Sequence, residues 1–207
     1  MSIIKGRSGS LYFWNGAVTS MVTEATTEST NTAQITDAAK RMISPNHSQV
    51  WTDSGGKTVI HTDYLNGIAT FNGNVGTVTV TGSYIPSANI IEVAQIYGWK
   101  LDMSIEIKDA TCLGDTSKVK LADLKDWKGT IDQYWLDSAF YDMWRQYQVG
   151  GTSIAKWLVK LFIDEANTKY YRGFCFISGV SENVSVNEFV KSAITFEGTD
   201  EIEYKTS

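Results

Sequence analysis

The side chains able to do chemistry are few and scattered. His47 and His61 are the only histidines, and neither has a Cys or a second His at ligand spacing, so no metal centre is expected. Gly6-Arg7-Ser8-Gly9-Ser10 has a superficial likeness to a phosphate loop or nucleophile turn. It lacks the preceding strand, the Gly-Lys-Ser/Thr ending and the following helix that aim backbone N–H groups at an anion. Asp102, Glu106, Asp132 and Asp137 could share a sheet surface, as a glycosidase pair would, yet no spacing singles out two of them. Asp109 to Asp115 lacks the ligand order of a calcium loop. Cys175 lies in the apolar run Phe174-Cys175-Phe176-Ile177 and reads as a buried free thiol. Cys112 precedes a Gly-Asp turn, and whether the two cysteines pair stays open. The expectation is a protein that is not an enzyme and needs no cofactor or metal.

The elements carrying these side chains read as strands. Lys100, Asp102, Ser104, Glu106 and Lys108 alternate with Trp99, Leu101, Met103, Ile105 and Ile107. A period of two sends the apolar set to one face and the polar set to the other, so one face packs on a core and the other meets water. Trp127, Gly129, Ile131, Gln133 and Trp135 repeat the pattern, with Lys128, Thr130 and Asp132 opposite. Because Trp99, Trp127 and Trp135 alternate with charges, they belong to the core face, which weighs against a sugar- or base-stacking platform.

Short strands separated by Asn15-Gly16, Gly55-Gly56, Asn66-Gly67 and Asn72-Gly73 indicate antiparallel structure, since these residues tolerate positive φ. A Thr- and Ser-rich polar strand is expected within Ala17 to Thr32, with a flexible loop around Thr26 to Asn31. Thr36 to Met42 reads as a short capped helical turn stopped by Pro45. Leu158 to Ile163 is nearly all apolar and reads as a strand covered on both faces. Phe189 to Glu197 is a further strand, and Asp200 to Ser207 an edge or tail. One segment changes period: Phe140, Met143, Trp144 and Tyr147 recur at spacings of three and four, capped by Asp137 or Ser138 and stopped by Gly150-Gly151. The expected fold is mainly β: an antiparallel sandwich or barrel-like subunit with one amphipathic helix at about 138–149 and long extended loops. A single domain, 1–207, is expected, with a flexible N-terminal arm at 1–9 and a loop or hairpin excursion at about 40–71.

With 207 residues and 43% apolar content, the chain can bury roughly 70% of its unfolded surface without a disulfide staple. The formal net charge of −5 weighs against sequence-reading DNA binding, which needs a basic footprint. No signal peptide or membrane-spanning run is read in it, so the expectation is a protein made and assembled in a cytoplasm. Seven tryptophans are many for this length and suit contacts between subunits.

The run from Gly9 to Ala17 resembles the opening of tail tube proteins of long-tailed bacteriophages. Ile35 to Arg41, Pro45-Asn46, the Asp53 to Gly56 loop, Thr62 to Gly67 and Val78 to Ile85 are similar to segments of the same family. So, further on, are Leu113 to Thr116, Lys125 to Gly129, Tyr134 to Asp137, Tyr170 to Gly173, Ile177 to Gly179 and Ile194 to Gly198. The resemblance covers about residues 9 to 198 and lies in the order and spacing of these motifs. It implies a virion protein, assembled in the bacterial host cytoplasm, that forms stacked hexameric rings of a hollow tail tube, the conduit for genome delivery. Its partners would be copies of itself, the tape-measure protein, and tail terminator and distal-tail proteins. Double-stranded DNA would pass without specific binding, and no membrane insertion is implied. Candidate lumen residues are then Lys100, Asp102, Ser104, Glu106, Lys128, Thr130 and Asp132. Candidate inter-ring or inter-subunit contacts are Ile3, Ile4, Arg7, Trp51, Ile60 and Tyr64. A distal-tail or terminator protein of the same fold, and a monomeric carbohydrate-binding β-sandwich module, are the alternatives; a small hydrolase ranks below both.

Overall fold

A computed structural model describes residues 11–14, 17–93, 96–109, 120–134, 156–164, 169–183 and 191–206. The strands are β1 (Leu11–Trp14), β2 (Thr19–Ser29), β3 (Thr32–Ile35), β4 (Val50–Asp53), β5 (Val59–Asp63), β6 (Ile68–Phe71), β7 (Val78–Tyr84), β8 (Ile90–Val93), β9 (Ile96–Asp109), β10 (Lys120–Tyr134), β11 (Trp157–Asp164), β12 (Lys169–Asn183) and β13 (Lys191–Lys205). They form a seven-stranded sheet of order β8-β1-β11-β12-β13-β10-β9 and a six-stranded sheet of order β4-β7-β2-β3-β6-β5. Two compact units result: one of 1–13 and 92–207, the other Trp14–Ile91.

The expected fold class needs correction. The described fold is sheet-dominated, and no helix in it reaches seven residues; its helical pieces are the 3-10 turns Ala38–Lys40 and Ser87–Asn89. The segment 138–149, on which an amphipathic helix was expected, lies outside the described residues. Spacings of three and four among Phe, Trp and Tyr are a weak helix signal, because aromatic side chains have low helix propensity and fit pleated strands better.

In the first unit, long strands place alternate residues on a shared core. Trp127, Ile131, Trp157, Val159, Leu161, Cys175, Ile194 and Phe196 form its buried cluster, with Trp99 and Leu101 packed against it. The keystone is Trp127. Its ring lies where a Cβ on Gly173 of β12 or Gly198 of β13 would stand, so the two glycines open a trough across both strands. Its indole Nε1–H donates to the carbonyl of Asp200 at 3.0 Å, and its ring meets Phe196 edge-on at 6.0 Å. Asp200 adopts φ 62°, a left-handed conformation that Asp tolerates better than most residues. Truncating a buried Trp of this kind costs roughly 3–5 kcal/mol.

On β11, Leu158, Val159, Leu161 and Phe162 are all buried, as expected of a strand covered on both faces. The C-terminal segment is an edge and not a tail: beyond Glu197 it pairs with β12 and no longer registers with β10. It continues β13 to Lys205, pairing Tyr171 with Tyr204 and Arg172 with Glu203.

In the second unit, two clusters lie side by side: Met21, Ile35, Ile43 and Val80, and Ala33, Ala69, Phe71 and Val78. Trp51 packs against both. β2 runs to Ser29, so the expected flexible loop at Thr26 to Asn31 shrinks to a turn at Thr30-Asn31. The segment 40–71 contributes β4, β5 and β6 to the sheet. Asp53 clasps two turns. Its carboxylate accepts N–H bonds from Lys57 at 2.9 Å and from Gly76 at 2.8 Å. Those bonds, the Lys57 one foremost, hold its pKa below the ordinary carboxylate value of 3.8.

Two predictions follow from these contacts. Gly198→Ala should destabilise the first unit by about 1–3 kcal/mol through overpacking against Trp127. Gly179→Ala, whose Cβ would meet only Thr195 at 3.9 Å, should be near neutral or slightly stabilising; urea melts of both variants check the contrast. The depressed Asp53 pKa means its stabilisation is complete above about pH 4 and fades as pH falls through the folded value. Asp53→Asn should therefore flatten the acid-induced loss of stability of the second unit, read from thermal melts between about pH 5 and pH 2.

Candidate functional site

The strand register gathers the expected polar residues on one face. Lys128 pairs with Asp102 on β9 and with Glu197 on β13, and this alternation of sign across strands is the favourable arrangement for a sheet. Thr130 lies between Lys100 and Thr195, and Asp132 between Gly98 and Ala193. Lys100, Asp102, Ser104, Glu106 and Lys128 are exposed, while Thr130 and Asp132 are half-buried. Lys100 Nζ lies 2.8 Å from Asp102 Oδ2. Asp126, paired with Ser104, and Thr195 and Glu197 join the same face. Sequence reasoning missed these three, although Thr195 and Glu197 alternate with buried Ile194 and Phe196. Carboxylates outnumber cations: Lys100, Lys128 and Lys191 stand among Asp102, Glu106, Asp126, Asp132 and Glu197.

The opposite face divides in two. Trp99 and Leu101 pack on the core, and Trp99 Nε1 donates to the Phe162 carbonyl at 3.2 Å. Met103, Ile105 and Ile107 are 56%, 52% and 63% exposed, so the expected core face ends at Leu101. The cause is where pairing stops. β13 registers with β10 only from Lys128 onward, whereas β9 and β10 stay paired out to Asp109 and Lys120. Beyond Trp127 they form a two-stranded ribbon bearing an apolar stripe, and β9 ends the sheet order.

Of the expected contact residues, Ile60 is 66% exposed. Trp51 and Tyr64 pack against the clusters of the second unit. Ile3, Ile4 and Arg7 lie outside the described residues.

Other polar and reactive side chains among the described residues serve the packing around them. Ser44 Oγ is 2.8 Å from His47 Nδ1, but Ser44 is fully buried, so this pair fixes a turn and offers no nucleophile to a substrate. Cys175 is free and buried, and burial pushes its thiol far up, away from thiolate. Lys160 lies 4.6 Å and 4.2 Å from the ring centroids of Phe162 and Tyr170. Burial, and then the Arg172 charge, hold its pKa below the usual lysine value. Arg172 Nε donates to Glu203 Oε2 at 2.7 Å, and Lys205 Nζ lies 2.8 Å from Glu203 Oε1. Burial alone would raise the Glu203 pKa; the bonds from Lys205 and Arg172 outweigh it and lower it. Among the described residues no group of three or more His, Cys, Asp or Glu is placed to hold a metal ion. No described helix is long and apolar enough to cross a membrane.

No family model and no curated protein matches the chain. Among solved structures it is similar to a chain of the virion of a native gene transfer agent particle, with 13% identity and a TM-score of 0.45; the match covers 57% of this chain and 91% of that one. It is also similar to a chain of the tail of an empty gene transfer agent particle, determined with helical refinement and C6 symmetry, with 13% identity and a TM-score of 0.44, covering 57% of this chain and 88% of that one.

The ion pair on the polar face should matter little to stability. Lys100 and Asp102 are 70% and 47% exposed in their side chains, and exposed pairs contribute about 0–1 kcal/mol. Lys100→Ser and Asp102→Ser should each shift unfolding by no more than about 0.5 kcal/mol in chemical denaturation.

Proposed function

We propose that the chain is a non-enzymatic structural subunit of a phage-like tail. In this reading it assembles with copies of itself into stacked hexameric rings, and the polar face of β9, β10 and β13 lines a bore through which DNA passes. Lys100, Asp102, Ser104, Glu106, Lys128, Thr130 and Asp132, joined by Asp126, Thr195 and Glu197, are the wall residues. The observation that carries the reading is this continuous face with carboxylates in excess, backed by the packed core from Lys128 to Asp132 and carried on by the ribbon through Asp126, Ser104 and Glu106. A phosphate backbone binds where cations neutralise it, so a surface with carboxylates in excess lets DNA slide without adhering. The order and spacing of the tail-tube-like motifs along the chain support the same assignment.

The ribbon of β9 and β10 supplies the contact between copies. Among the described residues its outer strand, β9, ends the sheet, and a sheet edge is a template for another strand. A second copy placed there extends the polar face of one subunit into that of the next and covers Met103, Ile105 and Ile107. The N-terminal arm with Ile3, Ile4 and Arg7, and exposed Ile60, are the further contacts assigned to ring stacking. The tape-measure protein occupies the bore before the genome, and terminator and distal-tail proteins cap the tube.

Ile105→Asp and Ile107→Asp should abolish rings and tubes in negative-stain micrographs while leaving the monomer's melting temperature nearly unchanged, since surface substitutions cost about 0.5 kcal/mol or less. Tubes of normal appearance from the double variant would defeat the assignment of the ribbon as the contact between copies.

A further inference from the structure

We infer that Trp14–Ile91 is an inserted module, a separate folding unit carried between two neighbouring strands of the other unit. The chain leaves the seven-stranded sheet at the end of β1 and rejoins it at β8, and these two strands are adjacent in the sheet order. Some seventy intervening residues therefore return to within one strand spacing, about 4.8 Å, of where they departed. The module closes its own neck. The carbonyl of Ala17 accepts the indole N–H of buried Trp14 at 2.7 Å and the amide N–H of Asn89 at 3.1 Å, tying its first and last turns together.

Inside that neck the module is complete. Among the described residues, β2 to β7 pair only with one another, and the buried clusters of Met21, Ile35, Ile43 and Val80 and of Ala33, Ala69, Phe71 and Val78 are drawn from its own residues. Its turns are fixed from within as well. Asp63 accepts N–H bonds from Leu65 and Asn66 at 2.9 Å and 3.1 Å, and Ile35 N–H reaches the Gly67 carbonyl at 2.9 Å. Gly67 has φ 59° and stands where a Cβ would strike the Arg41 backbone, so this turn admits only glycine. The other unit holds its own cluster around Trp127 and Phe196. Two cores, each built from its own strands, unfold as two cooperative units. This inference is independent of the tail assignment, because it concerns folding alone.

Amide hydrogen exchange of the full-length chain, followed by mass spectrometry of its peptides, tests it. Phe71→Ala should accelerate the slowest amides of β2 to β7 roughly a hundredfold or more and leave those of β10 to β13 unchanged; Phe196→Ala should do the reverse. Ile35→Val and Ile194→Val provide the same comparison at roughly three- to tenfold, should either truncation prevent folding. Equal acceleration in both units from a substitution in one would overturn the inference.

Discussion

Everything the larger sheet presents depends on Trp127 lying across two glycines. A β-sheet is pleated, and a ring as large as indole lies flat on it only where neighbouring strands carry no side chain. Gly173 and Gly198 provide that space on β12 and β13, and the Asp200 carbonyl satisfies the buried indole N–H, which would otherwise cost about 1–3 kcal/mol. One side chain thereby fixes the register of three strands. Since register has a period of two, a slip of one residue would turn Lys128, Thr130 and Asp132 inward and Trp127 and Ile131 out. The chemistry of the polar face is set by the packing behind it.

The same residue marks where the packed layer ends. On one side of Trp127, β10 is flanked by β9 and β13, with apolar residues beneath. On the other side β13 departs toward Asp200, and β9 and β10 continue as a ribbon. An isolated two-stranded ribbon is marginal in water, and this one exposes Met103, Ile105 and Ile107. Such an element is a cost to a monomer and an asset to a subunit whose partner covers it. A polar face backed by a core and an unfinished edge follow from one change in strand pairing.

Much of this was legible in the sequence wherever the signal was local. The alternation from Trp99 to Lys108 yields strand β9 and its polar face. Asn66-Gly67 and the Asp53 to Gly56 run turn the chain as their residue types require, and Cys175 is buried as its apolar neighbours suggest. What escaped depends on partners distant in sequence. Trp127 meets Gly198 seventy-one positions away, so no window of sequence shows that the glycine is a cradle for it. Exposure of Ile105 and Ile107 depends on where β13 stops pairing, which their own alternation does not encode. The C-terminal segment left edge and tail both open because Glu201 and Glu203 interrupt its apolar pattern, and the choice rests on Arg172, which supplies Glu203 with a partner from β12. The aromatic spacing near residue 140 suggested a helix in a fold whose described elements are strands and two short 3-10 turns.

Cryo-electron microscopy of the assembled protein, at a resolution that places side chains, tests the central claim most directly. Lys100, Asp102, Glu106 and Lys128 are expected on the wall of a central channel, with Ile105 and Ile107 covered by a neighbouring copy. A map that puts those four side chains on the outer surface, or leaves Ile105 and Ile107 bare between copies, would contradict it.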